Sequence, residues 1–122
     1  MLPIRSVGVQ GDARSYSYAV AISCAKCLLA KEALVSQEWN DLLYFAKLIP
    51  RVCHNINRVT YVFGGVVEHA VDDVTPTLLT PNAIATLRQV DHLANQVLNA
   101  NHEAKSNLSQ MPLVLIPIHF DR

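Results

Sequence analysis

The stretch Val7-Gly-Val-Gln-Gly-Asp-Ala-Arg-Ser-Tyr-Ser-Tyr18 contains two alternating patterns separated by a turn signal. Its two valines alternate with small or polar residues, which is typical of a half-buried strand. Gly11-Asp12 then favours a tight turn, because glycine accepts a positive φ and aspartate hydrogen-bonds to the nearby backbone. The apolar alternation resumes at Tyr16, Tyr18, Val20 and Ile22. The stretch therefore predicts a β-hairpin that presents Asp12 and Arg14 at its tip.

The two charged residues at this tip allow two interpretations. Asp12 and Arg14 can form an ordinary solvated turn, since charged side chains usually lie at the surface. They can also form a site for a polar ligand, because a carboxylate accepts hydrogen bonds and a guanidinium donates a planar pair to phosphate or carbonyl oxygens. Composition and spacing do not distinguish between the two.

The composition is that of a folded chain with a surplus of apolar surface. The 122 residues suffice for one domain with a hydrophobic core, and 51% of them are apolar while 16% are charged. The formal net charge is zero, so nothing favours a nucleic acid or an anionic membrane as partner. No apolar run approaches the length of a membrane span, and the N-terminus lacks the pattern of a signal peptide. Predicted strands begin and end close to both termini, which we interpret as a piece of a longer protein.

The three cysteines do not suggest a disulfide framework. Their odd number indicates a reducing compartment, which we expect to be the cytoplasm. Cys24-Ala-Lys-Cys27 has the two-residue gap of zinc and redox motifs, but Cys53 and His54 are adjacent in sequence and poorly placed to complete a zinc site. We therefore predict free thiols and no metal.

The remaining patterns predict helices and further strands. Apolar residues at helical spacing run from Trp39 to Ile56, and Pro50 is expected to kink or divide this helix. Asn57 is predicted to close the helix, and a strand is predicted from Arg58 to Phe63. In that strand Val59, Tyr61 and Phe63 should point to one face.

The second half of the sequence has a strong helix start. Thr80-Pro81 supplies a cap and a proline for the first turn of a helix that should run to about Ala100. Asn101 to Ser109 is predicted to be a polar loop. Pro112 to Phe120 is predicted to be a strand at a sheet edge, because prolines cannot donate ladder hydrogen bonds. Together the patterns predict a single α+β domain over residues 1–122, with a small, mostly antiparallel sheet and helices packed on one face.

The order of motifs resembles the C-terminal dimerisation domain of glutamine-hydrolysing GMP synthetases. The hairpin stretch matches that family's Val-Gly-Val-Gln-Gly-Asp-x-Arg-Ser/Thr-Tyr-x-Tyr run. Further similar segments are Leu48–Tyr61, Asp73–Thr80, Leu87–Gln89, Ser109–Pro112 and His119–Arg122. The resemblance covers nearly the whole chain and is closest to the first copy of a region that is duplicated in the eukaryotic enzymes.

The resemblance implies a role within a larger enzyme that converts XMP to GMP. That enzyme uses ATP with Mg²⁺ and ammonia released from glutamine in separate catalytic domains. The sequence contains neither the Cys-His-Glu amidotransferase arrangement nor the Ser-Gly-Gly-x-Asp-Ser pyrophosphate loop. We therefore expect a chain that is inactive alone and holds no cofactor of its own. It should join subunits and close the XMP pocket against the synthetase (ATP-pyrophosphatase) domain.

Three residues on the matched motifs are implied to contact XMP. Asp12 and Arg14 belong to Gly-Asp-x-Arg, and Gln110 belongs to Ser-Gln-Met-Pro. Arg14 is expected to face an oxyanion of XMP, Asp12 to accept from ribose or purine or to hold Arg14, and Gln110 to read the purine edge. The alternative is a purely structural dimerisation module, which self-associates through apolar surface and uses Asp12 and Arg14 as a turn salt bridge.

Overall fold

A computed structural model of the chain describes residues 1–10, 13–25 and 37–121. The elements in chain order are β1 (Arg5–Gln10), β2 (Ala13–Ile22), α1 (Gln37–Val52), β3 (Ile56–Tyr61), α2 (Pro81–Ala100) and α3 (His102–Asn107). The chain divides into two compact units, the first formed by Met1–Val74 with Ile118–Arg122 and the second by Thr75–Pro117. The sheet belongs to the first unit, and α2 and α3 belong to the second.

The first two strands form the antiparallel pair that the sequence predicts. Their register runs from the pair Arg5 and Tyr18 to the pair Gln10 and Ala13. The predicted tip, Gly11-Asp12, lies outside the described residues. At the open end the Arg5 guanidinium lies 5.1 Å from the centre of the Tyr18 ring, a cation–π distance that adds to the backbone pairing.

The third strand makes the sheet a mixed one. β3 pairs with β2 in parallel, so the strand order is β1-β2-β3. Parallel neighbours need a long crossover connection, and α1 lies within it. The α+β class and the small sheet are thus confirmed, with one antiparallel and one parallel strand pair.

Helix α1 packs against the face of the sheet that carries Ile22, Val59 and Tyr61. Trp39 meets Tyr61 edge to face, with 5.9 Å between the ring centres, and Tyr61 meets Phe63 in the same way at 4.9 Å. A cleft of about 150 Å³ remains between the helix and the strands. The contact between the Tyr61 and Phe63 rings agrees with the predicted common face of these two residues, but β3 ends at Tyr61, so the predicted strand end at Phe63 is wrong.

The end of α1 differs from the prediction. The helix runs unbroken past Pro50 and ends at Val52, so the predicted division at Pro50 and closure at Asn57 are wrong. A proline this close to the C-terminus removes one hydrogen bond from a turn that is about to end, and the Cys53 amide still donates to the Ile49 carbonyl at 2.8 Å. Asn57 instead lies inside β3, which begins at Ile56 and ends at Tyr61.

The second unit contains the helix that the sequence predicts most directly. The Thr80 hydroxyl accepts a hydrogen bond from the Ala83 amide at 3.2 Å, and Pro81 opens the helix. The predicted loop after it contains the short helix α3, which Asn101 caps through the Ala104 amide at 3.1 Å.

The predicted last strand does not form among the described residues. From Pro112 to Phe120 the chain makes only an isolated bridge, between Val74 and Ile118. Pro112 and Pro117 each lack the amide that a ladder needs, which is the physical reason for the missing pairing.

Few side chains of the described residues are fully buried. Leu2 and Ala19 retain 4% and 1% of their accessible surface, and the Leu2 amide donates to the Ala19 carbonyl at 2.9 Å. Large apolar side chains remain exposed in both units, among them Tyr16, Tyr44, Phe63, Leu78, Leu79 and Val97. Within the described part of the chain, no helix has both the length and the apolar character needed to cross a membrane.

Candidate ligand site at the hairpin

Arg14 is placed near the tip end of the hairpin. It is the second residue of β2, opposite Val9, and its side chain is exposed. This side chain makes no hydrogen bond or ion pair with any residue that the structure describes. Its five guanidinium donors therefore face solvent rather than a partner among these residues. Asp12, the second predicted site residue, lies outside the described residues.

Gln110 lies in the second unit, in the segment that follows α3. It is exposed and has no hydrogen-bond partner within the described ranges. Its amide is therefore available both to donate and to accept. Arg14 and Gln110 belong to different units, so their convergence on one ligand stays a prediction.

A polar cluster that the sequence analysis missed lies on one face of the hairpin. The Ser6 hydroxyl donates to the Asn57 Oδ1 atom, and the Asn57 Nδ2 atom donates back to the Ser6 carbonyl at 2.7 Å. The same Nδ2 atom lies 3.4 Å from both the carbonyl and the hydroxyl oxygen of Ser15. One side chain from β3 thus links both strands of the hairpin.

The cluster explains why glycine occupies position 8. A Cβ atom at Gly8 would lie 3.0 Å from Asn57 Nδ2 and 3.1 Å from both Asn57 Cβ and Ser15 Oγ. These distances are shorter than ordinary van der Waals contacts, so any side chain there would displace the Asn57 amide. A glycine inside a strand pattern is a signal of such a close approach, although it does not reveal the approaching residue.

A second contact joins the same strands. The Arg58 Nη2 atom donates to the Val7 carbonyl at 3.1 Å. Adjacent residues of β3 therefore reach the outer strand β1, which does not pair with β3 in the sheet. Both contacts restrict how far β1 can move relative to β2.

The described residues offer no assembled metal site. No group of three His, Cys, Asp or Glu side chains converges within residues 1–10, 13–25 and 37–121. Cys24 and Cys53 are free and half-buried. Cys27 lies outside the described residues, so the zinc interpretation of Cys24-x-x-Cys27 is not tested by the structure.

The second unit contains a separate apolar groove of about 420 Å³. Three segments form it: the chain before α2, the first turns of α2, and the extended segment after α3. Its lining residues are Thr77, Leu78, Leu79, Ala83, Ile84, Leu87 and Leu113–Pro117. The lining is mostly aliphatic, so the groove favours apolar contacts over a charged ligand.

No family model matches the sequence. Individual proteins do. The chain is 40% identical over 131 aligned residues to a protein named "Probable GMP synthase [glutamine-hydrolyzing]" from Caenorhabditis elegans, and the match covers 100% of the chain and 16% of that protein. It is 36% identical over 129 aligned residues to "GMP synthase [glutamine-hydrolyzing]" from Dictyostelium discoideum, covering 98% of the chain and 17% of that protein. The chain is a homologue of part of a GMP synthase.

A bacterial GMP synthase matches a smaller part of the chain. The protein from Nitrosomonas eutropha is 38% identical over 69 aligned residues, which is 52% of the chain and 12% of the bacterial protein. The chain spans about a sixth of the length of the Caenorhabditis and Dictyostelium GMP synthases. A segment of about half the chain is thus shared with the bacterial enzyme, and the two eukaryotic enzymes match all or nearly all of it.

Proposed function

We propose that this chain is the part of a GMP synthase that associates with the synthetase domain, helps to join subunits, and contributes Asp12, Arg14 and Gln110 to the XMP site. The parent enzyme would convert XMP to GMP in the cytoplasm, with ATP, Mg²⁺ and ammonia from glutamine. The chain alone would be inactive. The observation that carries the proposal is the similarity to GMP synthases across the whole chain.

The exposure of Arg14 supports its assignment to the substrate. XMP carries a phosphate, and a guanidinium binds phosphate through paired, charge-assisted hydrogen bonds. An arginine already held by a carboxylate would have to exchange that partner for the ligand. Arg14 is exposed and has no such partner among the residues that the structure describes.

Gln110 suits a different part of the same ligand. The purine edge of XMP presents both N–H donors and carbonyl acceptors, and a glutamine amide matches both kinds of group. A charged side chain would match only one kind. Gln110 is exposed, so a ligand can reach its amide.

An amide NMR titration of the isolated chain with XMP tests the proposal. We expect saturable shifts at Ala13–Ser15 and around Gln110, because both segments would contact the ligand. Xanthosine, which lacks the phosphate, should shift the Gln110 segment and leave the Arg14 amide nearly unchanged. If XMP caused no shift in either segment up to about millimolar concentration, roughly the weakest affinity expected of a specific site, a ligand role of the isolated chain would be excluded.

A structural role without ligand contacts is the second candidate, and the exposed apolar side chains favour it. Leu78 and Leu79 are 82% and 89% exposed beside the apolar groove of the second unit. Contiguous apolar surface of this kind marks protein contacts more often than free surface. Sedimentation of the chain at several concentrations measures this role. A mass that rises toward that of a dimer supports self-association, whereas a constant monomer mass contradicts it for the isolated chain.

A further inference from the structure

We propose that Asn57 is a positioning residue, which fixes the β1–β2 hairpin and thereby the direction in which Arg14 meets the substrate. The inference rests on the proposed XMP site at the hairpin. It assigns to Asn57 a role that acts through Arg14 rather than through direct contact with XMP. It is based on the hydrogen bonds by which the Asn57 side chain, on β3, reaches Ser6 of β1 and Ser15 of β2.

An irregularity in β3 places Asn57 where it can reach the hairpin. Tyr18 pairs with Ile56 and Ala19 pairs with Arg58, so Asn57 is an extra residue between two regular pairs. Such a β-bulge redirects the side chain of the inserted residue. In a regular register Asn57 would be paired with a residue of β2, as Ile56 and Arg58 are. In the observed register its side chain instead extends over β2 to the Ser6 side chain of β1.

The Asn57 side-chain amide both accepts and donates hydrogen bonds. Oδ1 accepts from the Ser6 hydroxyl, while Nδ2 donates to the Ser6 carbonyl at 2.7 Å and lies 3.4 Å from the Ser15 carbonyl. Only a group that is both donor and acceptor satisfies these partners. A carboxylate of the same size would place an acceptor against two carbonyl oxygens. The chemistry of the cluster therefore specifies an amide.

The connection to Arg14 is short. Ser15 follows Arg14 directly, and it pairs with Gly8, whose missing side chain leaves space for the Asn57 amide. Asn57 therefore contacts the residue that follows Arg14, through the Ser15 carbonyl and hydroxyl oxygens at 3.4 Å, in the space that Gly8 leaves open. Arg58 supports the same arrangement through the Val7 carbonyl at 3.1 Å. Losing the amide would free the tip end of the hairpin without removing any substrate contact.

The test uses the full-length parent enzyme and the KM values of its three substrates. We expect Asn57→Ala to raise the KM for XMP about tenfold, because a displaced arginine loses much of its contact with the ligand. The KM values for ATP and glutamine should stay within about twofold. Asn57→Asp keeps the volume and removes the amide donor, so it should act in the same direction if the alanine variant folds poorly. Gly8→Ala displaces Asn57 without altering it and should also raise the KM for XMP selectively.

Thr60→Val is the matched control. Thr60 is also half-buried in β3, and its hydroxyl donates to the Val20 carbonyl at 3.2 Å, so its loss also removes a side-chain hydrogen bond between β3 and a neighbouring strand. It does not contact the hairpin strand β1, so its KM for XMP should stay within about twofold of the parent value. Hydrogen exchange of the full-length protein supplies a second readout. Exchange in residues 5–18 should rise in Asn57→Ala and not in Thr60→Val.

The outcomes separate this inference from the proposed function. If Arg14→Ala raises the KM for XMP but Asn57→Ala, Asn57→Asp and Gly8→Ala do not, the positioning role is wrong and the XMP site stands. Equal changes in all three KM values would show a general structural role and would also overturn positioning. If Arg14→Ala leaves the KM for XMP unchanged, the proposed site itself fails, and the positioning role fails with it.

Discussion

We expect the replacement of Arg14 by alanine in the full-length enzyme to raise the KM for XMP about 10- to 100-fold. A hydrogen bond to a charged group contributes about 1.5–3 kcal/mol, and each 1.4 kcal/mol changes an equilibrium about tenfold. The guanidinium is exposed and makes no hydrogen bond or ion pair with other described residues, so its removal should cost little folding stability. The KM for glutamine should not change if, as we propose for the parent enzyme, glutamine is hydrolysed in a separate domain. Steady-state kinetics with each substrate varied in turn measure the effect.

Two further variants define what the Arg14 result means. Arg14→Lys retains the charge and loses the planar pair of donors, so its KM for XMP should lie between those of the parent and the alanine variant. Arg51→Ala removes an exposed arginine from α1 and should leave the KM for XMP unchanged. An Arg14→Ala enzyme with the parent KM for XMP would refute the assignment of this residue to the substrate.

We expect the replacement of Ala19 by aspartate to abolish the cooperative unfolding transition of the chain. Ala19 is 1% exposed, and its backbone carbonyl accepts from the Leu2 amide at 2.9 Å. A carboxylate at this position would be buried without a partner, which costs several kcal/mol, about as much as the total stability of a small domain. Urea denaturation followed by circular dichroism measures the loss.

Ala13→Asp is the control for this experiment because it makes the same change in the same strand. Ala13 is exposed, so the aspartate stays in water and the free energy of unfolding should change by at most about 0.5 kcal/mol. If Ala19→Asp unfolded at the same urea concentration as Ala13→Asp, then Ala19 would not be part of the packed centre of the first unit.

The parts of the fold that local patterns determine could be predicted from the sequence. The hairpin strands follow from alternation on either side of Gly11-Asp12, and α2 follows from a threonine cap followed by proline. These signals lie within a few residues of the structure that they specify. The parallel pairing of β3 with β2 has no local signal, because the pairing joins strands that are separated by α1.

The errors at the junction between α1 and β3 have one cause. The apolar spacing continues through Cys53 and Ile56, so the pattern extends the predicted helix to Asn57. In the structure Ile56 belongs to β3. Ile56 fits both the apolar spacing of a helix and that of a strand, and its pairing with β2 determines that it forms a strand.

Of the candidate site, the sequence predicts the residues on matched motifs but not the residue that supports them. Arg14 and Gln110 come from matched motifs, and the structure shows that both are exposed. The sequence pattern predicts Asn57 only as the end of a helix. Its partners Ser6 and Ser15 are far away in sequence, and the bulge that directs its side chain depends on strand register. Gly8 was the available signal, since a glycine between two valines indicates a neighbour that needs the space.

The space at Gly8 has a consequence for how this sequence can vary. Every other amino acid begins its side chain with the same Cβ atom, and that atom alone meets Asn57 and Ser15 at 3.0–3.1 Å. Alanine therefore requires Asn57 and Ser15 to shift by a few tenths of an ångström, and larger side chains bring further atoms toward the same place. In a saturation mutagenesis experiment we expect alanine and serine to be the mildest substitutions at position 8, with losses that grow with side-chain size, whereas exposed Tyr16 in the next strand should tolerate a wider range of residues.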